Sequence, residues 1–254
     1  PVTAFLSVAS KAAGFVALVV LIYTAFPLSE AIWQPFIWVL SALTMTIGNV
    51  LALKQKNIVR MIAYSSISQG GFVLMPLAVA GLVGSGSTAL RSVVLYMIVY
   101  AATNLGIFAV ILAVSNKTRS GDVSSFGGLF SYAPALGVLM TLFLASLAGI
   151  PPLGGWIAKF VAFQSLIQSQ SAWGYALAII GAVNSVVAFG YYGNVMREIW
   201  MRPVPDGDVT PITIPGSLRL ALVITAGATL VFGVLPGVGL YFADLAEIAG
   251  AIIR

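Results

Sequence analysis

Seven apolar runs, each long enough to cross a bilayer, leave this chain few ways to fold. They fall at 2–26, 36–53, 61–81, 89–114, 133–169, 173–200 and 215–237. About 20 apolar residues in helical form span the hydrocarbon core. Only 7% of the 254 residues are charged, against about 25% in a soluble domain. The reading is an all-α integral membrane protein with about seven transmembrane helices, forming a single transmembrane domain over residues 1–254. The net charge of +5 then speaks to topology in a lipid bilayer and not to nucleic-acid binding.

The fifth run, 133–169, is too long for one straight crossing and carries Ser146-Leu147-Ala148-Gly149-Ile150-Pro151-Pro152-Leu153-Gly154-Gly155-Trp156-Ile157-Ala158-Lys159-Phe160. Two adjacent prolines remove two backbone donors and clash with the preceding turn, so a continuous helix cannot pass. Gly149, Gly154 and Gly155 on either side let the chain bend and restart. The run is either one broken crossing or a tight two-span hairpin, and charge separates the two. With one crossing, Lys54, Lys56, Arg60, Lys117, Arg119, Arg197, Arg202 and Arg219 face one side, and Arg91 and Arg254 the other. A hairpin would move Arg197, Arg202 and Arg219 across and return Arg254, leaving a split of about six to four. The eight-to-two split obeys the positive-inside rule better, so one broken helix is expected, with the Lys54 and Lys117 loops cytoplasmic.

The connections are short. Gly84-Ser85-Gly86-Ser87 reads as a flexible turn, and Arg202-Pro203-Val204-Pro205-Asp206-Gly207-Asp208 as a polar loop of extended character. Residues 239–252, with Asp244 and Glu247, read equally as a short interfacial helix or a frayed tail. The opening Pro1-Val2-Thr3 leads straight into an apolar helix without the basic n-region of a signal peptide, as expected of a sequence that starts partway through a longer protein.

The residue inventory limits the chemistry. There is no cysteine, so disulfides, iron–sulfur ligation and thiol redox chemistry are excluded within the chain. Histidine is absent as well, which removes the commonest general base and metal ligand. No phosphate loop, metal cluster or nucleophile–base pair is recognisable, so no cofactor or metal is expected in this chain. Proton chemistry would rest on lysine, tyrosine, hydroxyls, a few carboxylates and water.

Lys11 and Lys159 are the only basic residues outside loops and span ends. A lysine at membrane depth costs roughly 2.5–3.5 kcal/mol on insertion scales and is a functional hypothesis by default. Its ordinary alternative is snorkelling to the interface, which is harder for Lys159, about ten residues from the next boundary. Lys54-Gln55-Lys56-Asn57-Ile58-Val59-Arg60-Met61-Ile62-Ala63-Tyr64-Ser65-Ser66-Ile67-Ser68-Gln69 packs hydroxyls and an amide into the first turns of a membrane helix. That run reads either as a water-bridged polar lining, with Tyr64 as relay, or as hydrogen-bonding glue between helices. Asn104, Asn184 and Ser185 read as packing groups in need of partners, and the tryptophans mostly as an interfacial belt.

The same Lys54–Ser68 stretch resembles the signature of the antiporter-like membrane subunits of respiratory complex I, the proton-pumping NADH:quinone oxidoreductase. Pro1-Val2-Thr3-Ala4-Phe5 through Ser10-Lys11, and Leu144-Ala145-Ser146-Leu147-Ala148-Gly149-Ile150-Pro151-Pro152 through Lys159-Phe160, agree with it in the same order. Together the three stretches are most similar to the subunit N branch, and the resemblance covers essentially the whole chain. It implies the C-terminal half of a roughly fourteen-helix, inverted-repeat antiporter-like fold. Residues 1–26 would be a linking helix, 36–200 the second five-helix repeat and 215–237 the final helix.

By the same resemblance, Lys11 is the central-axis lysine, Lys159 the terminal lysine on the broken helix, and Tyr64 the family's tyrosine. All three would act in proton transfer, beside a helix break formed by Gly149, Pro151, Pro152, Gly154 and Gly155. Gln69 stands where relatives often carry histidine. The family's glutamate and lysine of the first repeat have no counterpart here. The implied setting is a multi-pass subunit of the cell inner (plasma) membrane, working with other membrane subunits of complex I. NADH, FMN, iron–sulfur clusters and quinone would be bound by partner subunits. The alternatives are a subunit of a multisubunit sodium/proton antiporter and a structural spacer whose lysines snorkel.

Overall fold

The computed structural model describes residues 2–82 and 86–252; Gly84 and Ser85 of the expected Gly84–Ser87 turn, Arg254 and the Glu247 side chain lie outside what is described, while Gly86 and Ser87 open a helix instead. Among the described residues ten α-helices follow one another: α1 Val2–Val20, α2 Glu30–Leu53, α3 Ile58–Leu74, α4 Gly86–Thr118, α5 Leu129–Tyr132, α6 Pro134–Ala148, α7 Gly154–Gln168, α8 Ala172–Met201, α9 Gly216–Val234 and α10 Pro236–Ile252. A π-helical turn, Leu21–Ala25, extends α1, and a 3₁₀ turn, Leu77–Val79, follows α3. Six of these stretches are long and apolar enough to cross a membrane. The membrane-spanning, all-helical reading holds.

Local sequence explains where helices begin and end. The Asn57 side chain caps α3 by accepting from the Arg60 N–H at 3.1 Å, and Ser171 caps α8 through the Gly174 N–H at 2.9 Å, the short polar acceptors that orphan N-terminal donors favour. Pro134 starts α6 at a position where its missing N–H costs nothing. At the other end of α6, Gly149 adopts φ +92°, a left-handed cap that a side chain would strain.

Helices α6 and α7 form the seventh crossing. Each has 15 residues, or about 22 Å of rise, too short to span alone. Helix α4 runs antiparallel past both without interruption. Gly106 lies against the Phe143 ring, the Thr103 and Ser146 hydroxyls are 3.3 Å apart, Gly154 packs on Val99, and the Ser92 hydroxyl donates to Val161 O at 3.1 Å. Helix α8 does the same on another side. Its end, Ile199, meets Gly137 in α6, while its start, Gly174, meets Leu166 and Ser169 at the end of α7. With 30 residues, or about 45 Å, α8 matches the two short helices placed end to end. A hairpin would have brought the start of α6 beside the end of α7.

The segments that carry Lys54, Lys56, Lys117, Arg119 and Arg202 meet at one end of the bundle. There the Ile58 N–H donates to Gly121 O at 2.7 Å, the Val123 N–H to Lys56 O at 2.8 Å, and the Gly128 N–H to Glu198 O at 3.1 Å. Lys117 clasps the polar loop, donating to Asp208 O at 3.0 Å and Thr210 O at 2.5 Å, with the Asp208 carboxylate 3.5 Å away. The hydroxyl and N–H of Thr210 hold the Asp208 carboxyl below its ordinary value, with Lys117 adding to the effect. At the opposite end, Trp38 and Trp173 meet edge to face at 5.5 Å. The stretch 239–252 is helical to Ile252 and packs against α4, where Gly239 lies on Leu95 and Asp244 pairs with Arg91 at 2.7 Å.

Candidate proton-transfer site

Five helices, α1, α3, α4, α7 and α8, bring a row of polar side chains into the middle of the bundle. Helix α1 contributes Lys11, whose ammonium donates to the Ser66 carbonyl, to the Ser66 hydroxyl at 2.6 Å and to the Tyr100 hydroxyl at 3.3 Å. All three ammonium protons therefore have acceptors. The same nitrogen lies 4.4 Å from the centre of the Tyr100 ring, close enough for a cation–π contact. Ser66 and Tyr100 also bond each other, at 2.6 Å. A snorkelling lysine would instead reach towards an interface. On the same helical face as Lys11, Ser7 accepts from the Asn104 amide at 2.8 Å, which gives Asn104 the packing partner expected from sequence.

One turn further along α3 and α4 lies a second cluster. Gln69 is buried, at 2% exposure. Its carbonyl accepts from the Tyr96 hydroxyl at 2.5 Å, and its amide donates to the Tyr192 hydroxyl and to Leu147 O, both at 3.2 Å. Tyr192 also bonds the Ser65 hydroxyl. Ser66 and Gln69 are three residues apart on α3, and Tyr100 and Tyr96 four apart on α4, so each pair stacks on one face of its helix.

The row ends at the break in α6 and α7. Lys159, one turn into α7, is 5% exposed, donates to Ala148 O at 3.0 Å and sits 4.7 Å from the centre of the Phe72 ring. The carboxyl end of α6 is the negative end of its dipole, which favours a cation there. Gly149 packs against the side chain of Lys159. Gly155 lies so close to the Ser146 carbonyl that a Cβ would come within 1.7 Å of it; the Gly155 N–H in turn donates to the Ser146 hydroxyl at 3.0 Å. Pro151 and Pro152 form the exposed outer side of the break. The arrangement can hold a proton at either lysine, with hydroxyls and one amide between them.

Tyr64 takes no part in this row. It is half-buried, and among the described residues no hydrogen bond joins its hydroxyl to either lysine. The tyrosines that meet the lysines and Gln69 are Tyr96, Tyr100 and Tyr192, which sequence reading passed over. Their signal was available. Tyr96 and Tyr100 sit four apart deep within an apolar run, where a phenol needs a polar partner. Asn184 has the packing role expected of it, in a separate cluster: Asn49 donates to its backbone and side-chain oxygens, both at 2.9 Å, and Tyr191 donates to Asn49 at 3.0 Å. Ser185 has a buried hydroxyl without a hydrogen-bond partner among the described residues.

The chain is 40% identical to the NADH-quinone oxidoreductase subunit N of Trichlorobacter lovleyi, over 97% of its own length and 49% of that protein. It thus spans about half the length of the curated relatives it matches. A chain of respiratory complex I from Thermus thermophilus superposes with a TM-score of 0.68 at 27% identity, covering 81% of this chain and 44% of that one. A chain of the Mrp complex from a Dietzia species reaches 0.74 at 19% identity, over 86% and 47% respectively, a likeness of fold alone. Residues 1–186 match the membrane family described as NADH:quinone oxidoreductase/Mrp antiporter, and the chain belongs to that family.

Proposed function

We propose that this chain is the C-terminal half of a proton-translocating membrane subunit of a bacterial-type NADH:quinone oxidoreductase, the subunit N of that complex. The observation that carries the reading is the placement of Lys11 and Lys159. Both ammonium groups lie inside the bundle on hydrogen-bond acceptors, with Ser66, Tyr100, Tyr96, Gln69 and Tyr192 ranged between them. Quinone reduction elsewhere in the complex would shift charge towards the membrane arm. Lys11 and Lys159 would then take up and release a proton in turn, with water completing the path and Tyr100 in the relay position that sequence gave to Tyr64. NADH, FMN, iron–sulfur clusters and quinone would be held by partner subunits, and the protein would sit in the plasma membrane among other membrane subunits of the complex.

The 40% identity to a subunit N over nearly the whole chain supports this reading over the antiporter one. The test is a Lys11→Ala variant of the full-length protein in inverted membrane vesicles. NADH-driven acidification should fall while the complex remains assembled. Full acidification by NADH would reject the proposal. Sodium/proton exchange without NADH dependence would assign the chain to the antiporter branch of its family.

A further inference from the structure

The break leaves the last four carbonyls of α6 without partners in their own helix. Ala145 O accepts from the N–H groups of Gly149 at 3.1 Å and Ile150 at 3.0 Å, and Ser146 O accepts from Gly149 at 2.9 Å. Among the described residues, the next two carbonyls are served only by side chains: Leu147 O by the Gln69 amide and Ala148 O by Lys159. Adjacent carbonyls at the same helix end thus hold one fixed donor and one ionisable donor.

Gln69 is fixed in one orientation. Its oxygen accepts from Tyr96, and its nitrogen donates to Tyr192 and Leu147 O. Turning the amide over would set its oxygen against the Leu147 carbonyl, acceptor to acceptor, so the network determines the assignment. We infer that Gln69 is a positioning residue for Lys159: by satisfying Leu147 O it leaves Ala148 O as the one carbonyl at this helix end with no other donor among the described residues, and so as the one that holds the ammonium. Without Gln69, Leu147 O becomes a buried acceptor lacking its partner, one residue from the lysine's own. Lys159, whose ammonium already lies on the adjacent carbonyl, can supply that donor, and would be drawn off its present position or held between the two carbonyls.

This inference rests on the proton-transfer reading, and its test keeps the two apart. Gln69→Met keeps the length and shape of the side chain and removes the donor. Gln69→His restores one N–H for Leu147 O and one acceptor for Tyr96. Both are made in the full-length protein, alongside Lys159→Ala, and NADH-driven acidification is compared in vesicles with equal amounts of assembled complex. Gln69→Met should lower pumping by roughly tenfold to a hundredfold, the upper figure being what a misplacement of about 1 Å can cost, and Gln69→His should recover most of it. If Gln69→Met prevents assembly, Gln69→Asn, one methylene too short to reach Leu147 O, should give the same direction of change. Wild-type pumping by the Met or Asn variant, with Lys159→Ala inactive, overturns the inference alone. Failure of histidine to recover any activity also overturns it. Normal pumping by Lys159→Ala removes the proton-transfer reading and the inference together.

Discussion

Gly155→Ala puts the geometry of the helix break to a direct test. A methyl group at this position would lie 1.7 Å from the Ser146 carbonyl oxygen, 2.6 Å from its carbon and 3.1 Å from its hydroxyl. Ordinary contact begins near 3.4 Å, so the ends of α6 and α7 must part by about 1.7 Å. The obstacle is backbone, and no flexible side chain can yield instead. Overpacking of this kind costs about 1–3 kcal/mol, and the lost bond between the Gly155 N–H and the Ser146 hydroxyl adds about 1 kcal/mol. Together they destabilise the break by roughly 2–4 kcal/mol. The same displacement carries Lys159 away from Ala148 O. The assays are the thermal midpoint of the assembled complex in detergent and NADH-driven acidification in vesicles. Gly227→Ala is the control, because a Cβ there meets nothing within 4 Å. Gly155→Ala should lower both the midpoint and pumping, and Gly227→Ala neither. A Gly155→Ala complex that assembles, melts and pumps like wild type would refute the argument that the two helix ends must touch.

Tyr100→Phe keeps the ring beside Lys11 and removes the hydroxyl that Lys11 and Ser66 share. It should reduce pumping several-fold without preventing assembly, whereas Tyr64→Phe should leave the rate within about twofold, both measured as initial acidification rates. Asn49→Leu leaves the Tyr191 hydroxyl and the Asn184 carbonyl groups without their buried partner, a loss of about 1–3 kcal/mol, read as a lower midpoint with the pumping of surviving complex unchanged. The Asp208 carboxyl is held below its ordinary value of 3.8, so its contribution to the loop clasp is present above that value and is lost as pH falls through the lower, folded value. Asp208→Asn should therefore flatten the acid limb of a midpoint-against-pH curve, and an unchanged limb would remove Asp208 from the clasp.

Much of this fold was legible because lipid imposes strict rules on sequence. Backbone groups in hydrocarbon must be satisfied internally, so apolar runs report helices and charged residues report their ends. The double proline marked the break, and the distribution of arginine and lysine separated one broken crossing from a hairpin before any packing was known. Stretch 239–252 was ambiguous for a physical reason. Its helix is held by contacts with α4, including Asp244 on Arg91, a partner some 150 residues away in sequence. The lysines stood out because a charge in an apolar run is costly. Their immediate neighbours did not, because tyrosine is ordinary both at interfaces and in cores. Tyr64 drew attention by sitting in a polar run, yet its hydroxyl stays out of the row, whereas Tyr100 and Tyr96 belong to it because α4 turns that face towards α1 and α3. Gln69 was visible as an amide in a membrane helix; its role at Leu147 O depends on where α6 stops.

The central claim is that Lys159 and Lys11 hold the translocated proton, and the most direct measurement is NADH-driven acidification of inverted vesicles carrying Lys159→Ala in the full-length protein, with NADH:quinone turnover recorded in the same samples. The account predicts that acidification and turnover fall together while the complex stays assembled. Wild-type acidification at wild-type turnover would contradict it, and would leave Lys159 as a structural cap on the end of α6.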